Sequence, residues 1–294
     1  MKFAIYAQNY KPHYKEIVEK LVRAVQAHNA TVIFESDFYQ LLKENHVLDF
    51  TYETFTSHSD IDDDTSFFVS IGGDGTMLRA ANFVKSKNIP IVGVNTGRLG
   101  FLANVQQDAI GFLMPLLFSN QYTLSRRTLI KVDEFTEANS NFSVNFALNE
   151  ITISRKNSTS MITIETHINN EYLATYWADG IIISTPTGST GYNLSCGGPI
   201  ITPDSNCLVI TPIAPHNLTS RPLIINDRSK IRMKVISREP EFLLSLDSET
   251  ATIGNESHIE ISLANHTVNM VEFPSVTFLK TLRSKLLWGE DKRN

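Results

Sequence analysis

The stretch Phe67-Phe68-Val69-Ser70-Ile71-Gly72-Gly73-Asp74-Gly75-Thr76 decides the fold. Five residues of buried-strand character run straight into a glycine-rich turn, and a helix is expected to begin near Thr76. The same alternation repeats on either side. Residues 3–6 read as a strand, and Pro12 then opens a helical pattern carried by Ile17, Leu21 and Val25. Strands at 31–34 and 89–94 and helices at 38–42, 77–84 and 109–117 complete the pattern. Such alternation predicts a parallel sheet covered by helices. The acidic run Asp60-Ile61-Asp62-Asp63-Asp64, just before the central strand, reads as a solvated loop rather than a metal site.

After about Leu124 the texture changes to β-branched, alternating segments at 129–132, 144–153, 161–166, 172–176, 231–236, 242–246 and 259–263. Asn169-Asn170 fits a hairpin turn, because asparagine tolerates positive φ. Residues 276–287 return to helical period, with Phe278, Leu279, Leu282 and Leu286 on one face, and are expected to pack back on the first domain. The expected organisation is an α/β N-terminal domain over residues 1–124, an all-β C-terminal domain over 125–274 and a terminal helix within 275–294.

With 42% hydrophobic and 19% charged residues in 294, the composition is that of a globular protein of one large or two modest domains. The formal net charge is −5 and no run of Lys or Arg exceeds two residues, which argues against nucleic acid or an anionic membrane as partner. Anionic ligands must then be held locally. No stretch approaches the roughly 18 apolar residues of a membrane helix, no signal-peptide core follows Met1-Lys2, and only Cys196 and Cys207 occur. A reducing cytoplasm is the expected compartment.

Three glycines in the turn let backbone approach a ligand closely, and a following helix N-terminus points free N–H groups at it. That is a place for phosphate. No Gly-Lys-Ser/Thr follows, and the dinucleotide Gly-x-Gly-x-x-Gly is absent. Asp74 stands out, because a carboxylate beside phosphates is repelled unless it holds a cation or takes a proton from an attacking hydroxyl. Helix capping is the alternative role. A second close-approach loop, Asn95-Thr96-Gly97-Arg98-Leu99-Gly100-Phe101-Leu102, follows a strand, with Arg98 either ligand-facing or solvated.

Between Phe142 and Ile153 the apolar positions shift phase across Asn149-Glu150, so a bulge or bend belongs there. Such a break either makes an exposed corner or aims an amide and a carboxylate at a base edge and ribose hydroxyls. Further on, the strand from Ala178-Asp179-Gly180 through Ser184 enters the loop Thr185-Pro186-Thr187-Gly188-Ser189-Thr190-Gly191-Tyr192-Asn193-Leu194-Ser195. Its hydroxyls, N–H groups and one aromatic face suit an adenine and its sugar-phosphate; a hydroxyl-rich linker is the plainer reading.

Gly-Gly-Asp-Gly-Thr resembles the signature shared by NAD kinases, diacylglycerol and sphingosine kinases, and phosphofructokinases. The loop from Asn95 to Leu102, the Asn149-Glu150 pair and the run Asp179-Gly180 through Thr185-Pro186-Thr187-Gly188-Ser189-Thr190-Gly191-Tyr192-Asn193 resemble NAD-kinase motifs in particular. The resemblance implies a two-domain NAD kinase fold and transfer of a phosphoryl group from ATP to the adenosine 2′-hydroxyl of NAD. It makes Asp74 the general base, with Gly75 beside the ligand. Asn149, Glu150, Asp179, Thr190, Gly191, Tyr192, Asn193, Leu194 and Ser195 become dinucleotide contacts. Gly191 stands where many relatives carry Ala. Arg79 is either a dinucleotide or phosphate contact or a surface helix residue. The resemblance further implies a divalent cation, Mg²⁺, with metal ligands left open, and a homo-oligomer, a dimer or tetramer. Leu244-Ser245-Leu246-Asp247-Ser248 only loosely matches a Ser-x-Asp-Gly segment of the family, with Ser248 in place of Gly, so Asp247 is not among the expected site residues.

The eight histidines show no zinc or metalloprotease spacing, His216 reads as structural, and no Gly-x-Ser-x-Gly elbow appears. A lipid kinase would share the glycine turn but want an apolar acceptor pocket, against the polarity of residues 187–195. A noncatalytic dinucleotide sensor could dispense with Asp74.

Overall fold

A computed structural model describes residues 1–48, 50–97, 100–135, 142–157 and 160–287. The chain divides into two compact units, Met1–Arg126 with Val268–Asn294, and Arg127–Thr267.

The first unit opens with β1 (Lys2–Tyr6), α1 (Tyr14–Ala27), β2 (Thr31–Glu35), α2 (Ser36–Glu44) and β3 (Glu53–Phe55). It continues with β4 (Phe67–Gly72), α3 (Asp74–Val84), β5 (Ile91–Asn95), β6 (Val105–Gln106), α4 (Ile110–Phe118) and β7 (Thr123–Arg127). β1, β4 and β5 are almost wholly buried, which is why they read as continuous apolar runs and not as alternations. α1 turns Ile17, Val18, Leu21 and Val25 onto the sheet, as its 3.6-residue period requires. Helix α3 begins at Asp74, two residues earlier than the sequence pattern suggested.

In the second unit β8 (Ile130–Phe135), β9 (Phe146–Ala147), β10 (Glu150–Arg155), β11 (Ile162–Ile168), β12 (Glu171–Ala178) and β13 (Gly180–Ser184) come first. A short helix α5 (Tyr192–Ser195) separates them from β14 (Cys207–Ile213), β15 (Leu223–Asn226), β16 (Ile231–Ile236), β17 (Glu241–Leu246), β18 (Glu249–Gly254) and β19 (His258–Leu263). The chain then returns to the first unit with β20 (Val268–Glu272) and α6 (Phe278–Leu286).

The first sheet has the order β3-β2-β1-β4-β5-β20-β7, with β6 beside β5. Pairings from β3 through β5, and of β5 with β6 and β20, are parallel. The order runs outward from β1 in both directions, so the strand succession reverses between β1 and β4. The second unit holds two six-stranded sheets, β15-β14-β13-β10-β17-β18 and β12-β11-β16-β19-β8-β9. Their inward faces share one apolar core that includes Ile151, Ile153, Ile181, Ile183 and Phe242 from one sheet and Ile162, Ile164, Met233 and Ile261 from the other. Asn169 and Asn170, both at positive φ (50° and 70°), make the two-residue turn between β11 and β12. The phase shift at Asn149-Glu150 is where the chain leaves one sheet for the other: β9 pairs with β8, and β10 pairs with β13 and β17.

Candidate active site

The glycine turn sits at the carboxyl end of β4, beside the reversal of strand order, the place where open α/β sheets bind ligands. Gly73 takes the capping position of α3 and offers no capping side chain. Asp74 therefore does not cap its own helix. Its carboxylate turns to the loop after β5: Oδ2 accepts from the Phe101 N–H at 2.9 Å, and Oδ1 accepts from the N–H groups of Leu102 at 2.9 Å and Ala103 at 3.1 Å. So close an approach requires glycine at position 100, where a Cβ would overlap Asp74 Oδ1. Asn95 ties the same loop from below, its Nδ2 donating to the Ala103 carbonyl at 3.1 Å and its Oδ1 accepting from the Gly97 N–H at 2.8 Å.

Gly73 and Gly75 differ in kind. A Cβ at either would meet nothing within 4 Å, so the protein's own packing does not ask for glycine there. The bare backbone faces space that a ligand can enter, at a helix start whose first N–H groups have no intrahelical partners. Arg79 lies about 140° around α3 from Asp74 by helical geometry. Burial pushes the Tyr6 hydroxyl up to about 12, and the Arg79 charge opposes that rise. Arg98 and Leu99 lie outside the described residues. From the far end of the chain, α6 brings the Lys285 Nζ to 3.9 Å from Asp74 Oδ2, a neighbour the sequence reading did not single out.

In the second unit the corner at Leu148-Asn149-Glu150 is stapled by another carboxylate. Asp247 accepts from the N–H groups of Leu148 and Asn149 at 2.8 Å each and of Glu150 at 3.0 Å. Its own N–H donates to the Glu150 carbonyl at 3.0 Å. Thr185 closes the corner from the other side: its hydroxyl donates to the Leu148 carbonyl at 2.6 Å and its N–H to the Asn149 carbonyl at 2.9 Å. The loop after β13 then packs so tightly on the corner that a Cβ at Gly188 would overlap the Asn149 carbonyl.

Three polar atoms around this corner, Asn149 Oδ1, Glu150 Oε2 and Thr187 Oγ1, are buried without a protein hydrogen-bond partner. Buried polar groups rarely go unpaired, so three together point to a ligand that supplies donors. Burial, and after it the nearby Asp247 charge, push the Glu150 carboxyl up to about 8, against the pull of the Tyr192 N–H that donates to it. Asp247 is itself pushed up to about 6 by burial, opposed by its three N–H donors.

Gly191 and Tyr192 adjoin Glu150, and the Tyr192 ring is exposed. Thr190 and Leu194 are half-buried near them and Ser195 is exposed. Asn193 faces inward, fully buried: Nδ2 donates to the carbonyls of Ser189 and Pro199 at 3.0 Å each, and Oδ1 accepts from the Thr211 hydroxyl at 2.6 Å. Its side chain knots the loop. Asp179 lies at the opposite end of the β10–β13 pairing from Glu150, ion-paired with Arg155 at 2.9 Å. Both carboxylates act on the Tyr192 hydroxyl, whose pKa is raised, chiefly by burial.

Among the described residues no three His, Cys, Asp or Glu side chains converge as metal ligands. The acidic run before β4 is tied up in surface ion pairs, Asp62 with Lys2 and Asp63 with Lys87. Cys196 and Cys207 are free thiols, and among the described residues no helix is long and apolar enough to cross a membrane.

The sequence matches the family models for the ATP-NAD kinase N-terminal domain over residues 3–122 and the ATP-NAD kinase C-terminal domain over residues 148–273. It is 52% identical to an NAD kinase of Flavobacterium psychrophilum over 294 residues, all of both chains. It is 40% identical, again over the whole of both chains, to an NAD kinase of Bacteroides fragilis. Among solved structures, yeast NADH kinase complexed with NADH superposes with a TM-score of 0.87 at 25% identity, covering 99% of this chain and 89% of that one. An NAD kinase from Archaeoglobus fulgidus in complex with ATP shares the fold, with a TM-score of 0.72 at 24% identity and 97% of each chain covered.

Two consequences can be measured on the free protein. A carboxyl raised in the folded state contributes stability that is complete below its unfolded value near 4.5 and is lost as pH rises through about 8. Glu150→Gln removes that loss. Its melting temperature should exceed the parent's by at least about 3 °C at pH 8.5, with the gap closing at pH 5; an equal gap at both pH values would mean Glu150 is not held protonated. For the glycines, Gly188→Ala must displace the Asn149 backbone and should lose about 1–3 kcal/mol in denaturant unfolding. Gly191→Ala, whose nearest neighbour is the Glu150 carboxylate tip at 3.0 Å, should lose much less.

Proposed function

The chain belongs to the NAD kinase family, and we infer from that premise that its reaction moves the terminal phosphoryl group of ATP onto the 2′-hydroxyl of the adenosine ribose of NAD. Asp74 is the proposed general base. A carboxylate offers about four lone-pair sites. Two on Oδ1 and one on Oδ2 accept from the backbone of Phe101, Leu102 and Ala103, which leaves one open site, on Oδ2. The attacking hydroxyl would donate there, its proton passing to Oδ2 as the oxygen closes on phosphorus. Gly73 and Gly75 would receive the donor phosphates on bare backbone.

The observation that carries the acceptor is the cluster of orphaned acceptors at the sheet-crossing corner. Ribose hydroxyls would donate to Glu150, and the Asn149 and Thr187 oxygens would accept from an exocyclic amine or a further hydroxyl. Tyr192 would offer its ring face, Thr190, Gly191, Leu194 and Ser195 the loop surface around the dinucleotide, and Asp179 a second carboxylate. Asn193 would act through the shape of the loop it knots. An alkyl acceptor would leave these groups unpaired, at about 1–3 kcal/mol for each one buried, which disfavours a lipid.

Magnesium would enter on the donor phosphates with its water shell, since it needs only one or two carboxylates from a protein. Asp74, whose one open site is given to the hydroxyl, would meet the ion only through one of its waters, and the ion's part would be to neutralise phosphate charge.

Incubation with NAD and Mg²⁺-ATP is expected to yield a product that a strictly NADP-dependent dehydrogenase accepts, with mass spectrometry placing the new phosphate on the adenosine ribose. Phosphorylation of diacylglycerol or sphingosine with NAD left untouched would sink the reading. Asp74→Asn should lower kcat by about 10²–10⁴. The amide also cannot accept from all three N–H groups, so the variant's melting curve and NAD affinity must be shown to persist. Near-normal turnover would leave Asp74 as a loop anchor only.

A further inference from the structure

The glycine turn lacks the lysine that phosphate-binding loops commonly place just after their last glycine. A cation arrives instead from α6, from the other end of the chain. Lys285 Nζ lies 3.9 Å from Asp74 Oδ2 and 4.8 Å from the centre of the Phe101 ring. Phe101 also packs against Phe278 of the same helix, with ring centres 6.2 Å apart and planes tilted by 42°. Thr281 and Leu282 are buried, and Thr277 caps the helix by accepting the Lys280 N–H. The helix thus meets the loop whose N–H groups hold Asp74 through Phe278 and Lys285, and the ammonium lies near both the Phe101 ring and the Asp74 carboxylate.

At 3.9 Å the pair is an ion pair without a hydrogen bond. Among the described residues no hydrogen bond from Lys285 to any other group is present, which leaves its donors available to a ligand. Both side chains are about one-third exposed, at 30% and 34%, so a ligand can reach them. A structural lysine would be expected to close on the carboxylate at 2.7–2.9 Å. This one stops short, next to the single oxygen with an open lone pair.

We infer that Lys285 is a phosphate-contacting residue of the transfer, its ammonium binding the phosphoryl group that moves from the donor to the hydroxyl held by Asp74. The inference rests on the reaction proposed above. The hydroxyl that donates to Oδ2 lies within hydrogen-bond reach of it, and the phosphorus it attacks is one bond further. Nζ, 3.9 Å from the same Oδ2, is then close enough to meet the oxygens of the phosphoryl group, over which the transition-state charge is spread. Phe101 holds the ammonium in place without occupying a donor.

The test uses the full-length chain with Lys285→Met and Lys285→Arg, varying ATP and NAD in turn, and inorganic triphosphate as an inhibitor. Expected for Lys285→Met is a fall of about 10- to 100-fold in kcat/KM for ATP and a several-fold weaker inhibition by triphosphate. The KM for NAD and the melting temperature should stay near the parent's, and Lys285→Arg should recover most of the loss. A folded Lys285→Met with unchanged kcat/KM for ATP and unchanged triphosphate inhibition overturns the inference. If the Met variant does not fold, Lys285→Gln carries the same measurements. Failure of the parent to form NADP would remove the underlying reading and this inference with it. Parent turnover with an indifferent Lys285→Met removes this inference alone.

Discussion

In each unit an aspartate carboxylate gathers the N–H groups of three consecutive residues, Asp74 those of Phe101, Leu102 and Ala103, and Asp247 those of Leu148, Asn149 and Glu150. Three successive donors pointing the same way cannot be satisfied by a strand ladder, where they alternate, and an unpaired buried N–H costs as much as a lost hydrogen bond. One anion solves the problem for all three, the arrangement by which backbone concavities bind anions generally. The loop after β5 and the corner before β10 thus have single shapes. Gly100 and Gly188 are the glycines those shapes demand, since a Cβ at either would overlap the carboxylate or the carbonyl packed against it.

The two carboxylates differ in what remains exposed to chemistry. Asp247 is partly buried behind the corner it holds, and after burial itself its charge raises the carboxyl of Glu150 beside it. Its effect reaches a ligand only through Asn149 and Glu150. Asp74 stands at a helix start on an open turn, partly exposed, with one lone-pair site unclaimed. Holding the loop and offering that site are the same act, because the three N–H bonds fix the direction in which the fourth position points. As the proposed base, a carboxylate aimed this way would need no rearrangement at the moment of reaction.

Local pattern was enough to read the strand, turn and helix from Phe67 onward, because a buried parallel strand is a continuous apolar run and a glycine turn interrupts it sharply. The break at Asn149-Glu150 was legible too, as a change of phase, though only the pairing reveals that it carries the chain between two sheets. Strand β14 carries Pro212, which demotes a run in a propensity reading, yet it is buried on both sides between β13 and β15. Asp247 was passed over because Ser248 stands where glycine was expected. In the structure it is Asp247 that takes the positive φ, +50°, which an aspartate tolerates, and Ser248 needs no special backbone. Its partners lie nearly a hundred residues upstream, and those of Lys285 about two hundred. No local period encodes contacts of that span; only the tertiary fold brings them together.

Charge explains why these long-range contacts fall where they do. A chain of net charge −5 that takes up a triphosphate and a dinucleotide has no general attraction for them, and at physiological salt fields from surface charges fade within about 8 Å. In the proposed site, what draws the phosphates must therefore lie at the turn itself. Backbone N–H groups and a helix start are neutral donors that require no counter-ion in the free protein, and they bind substrate and product phosphates alike. Interactions that hold ground state and transition state equally do not quicken the chemical step. A cation beside the proposed base is different, because it stands where the phosphoryl group would pass and can pair with its oxygens in the transition state. At 30% exposure, Lys285 keeps much of its hydration, which limits how tightly it can grip an idle phosphate and so how far it would hinder release of the products.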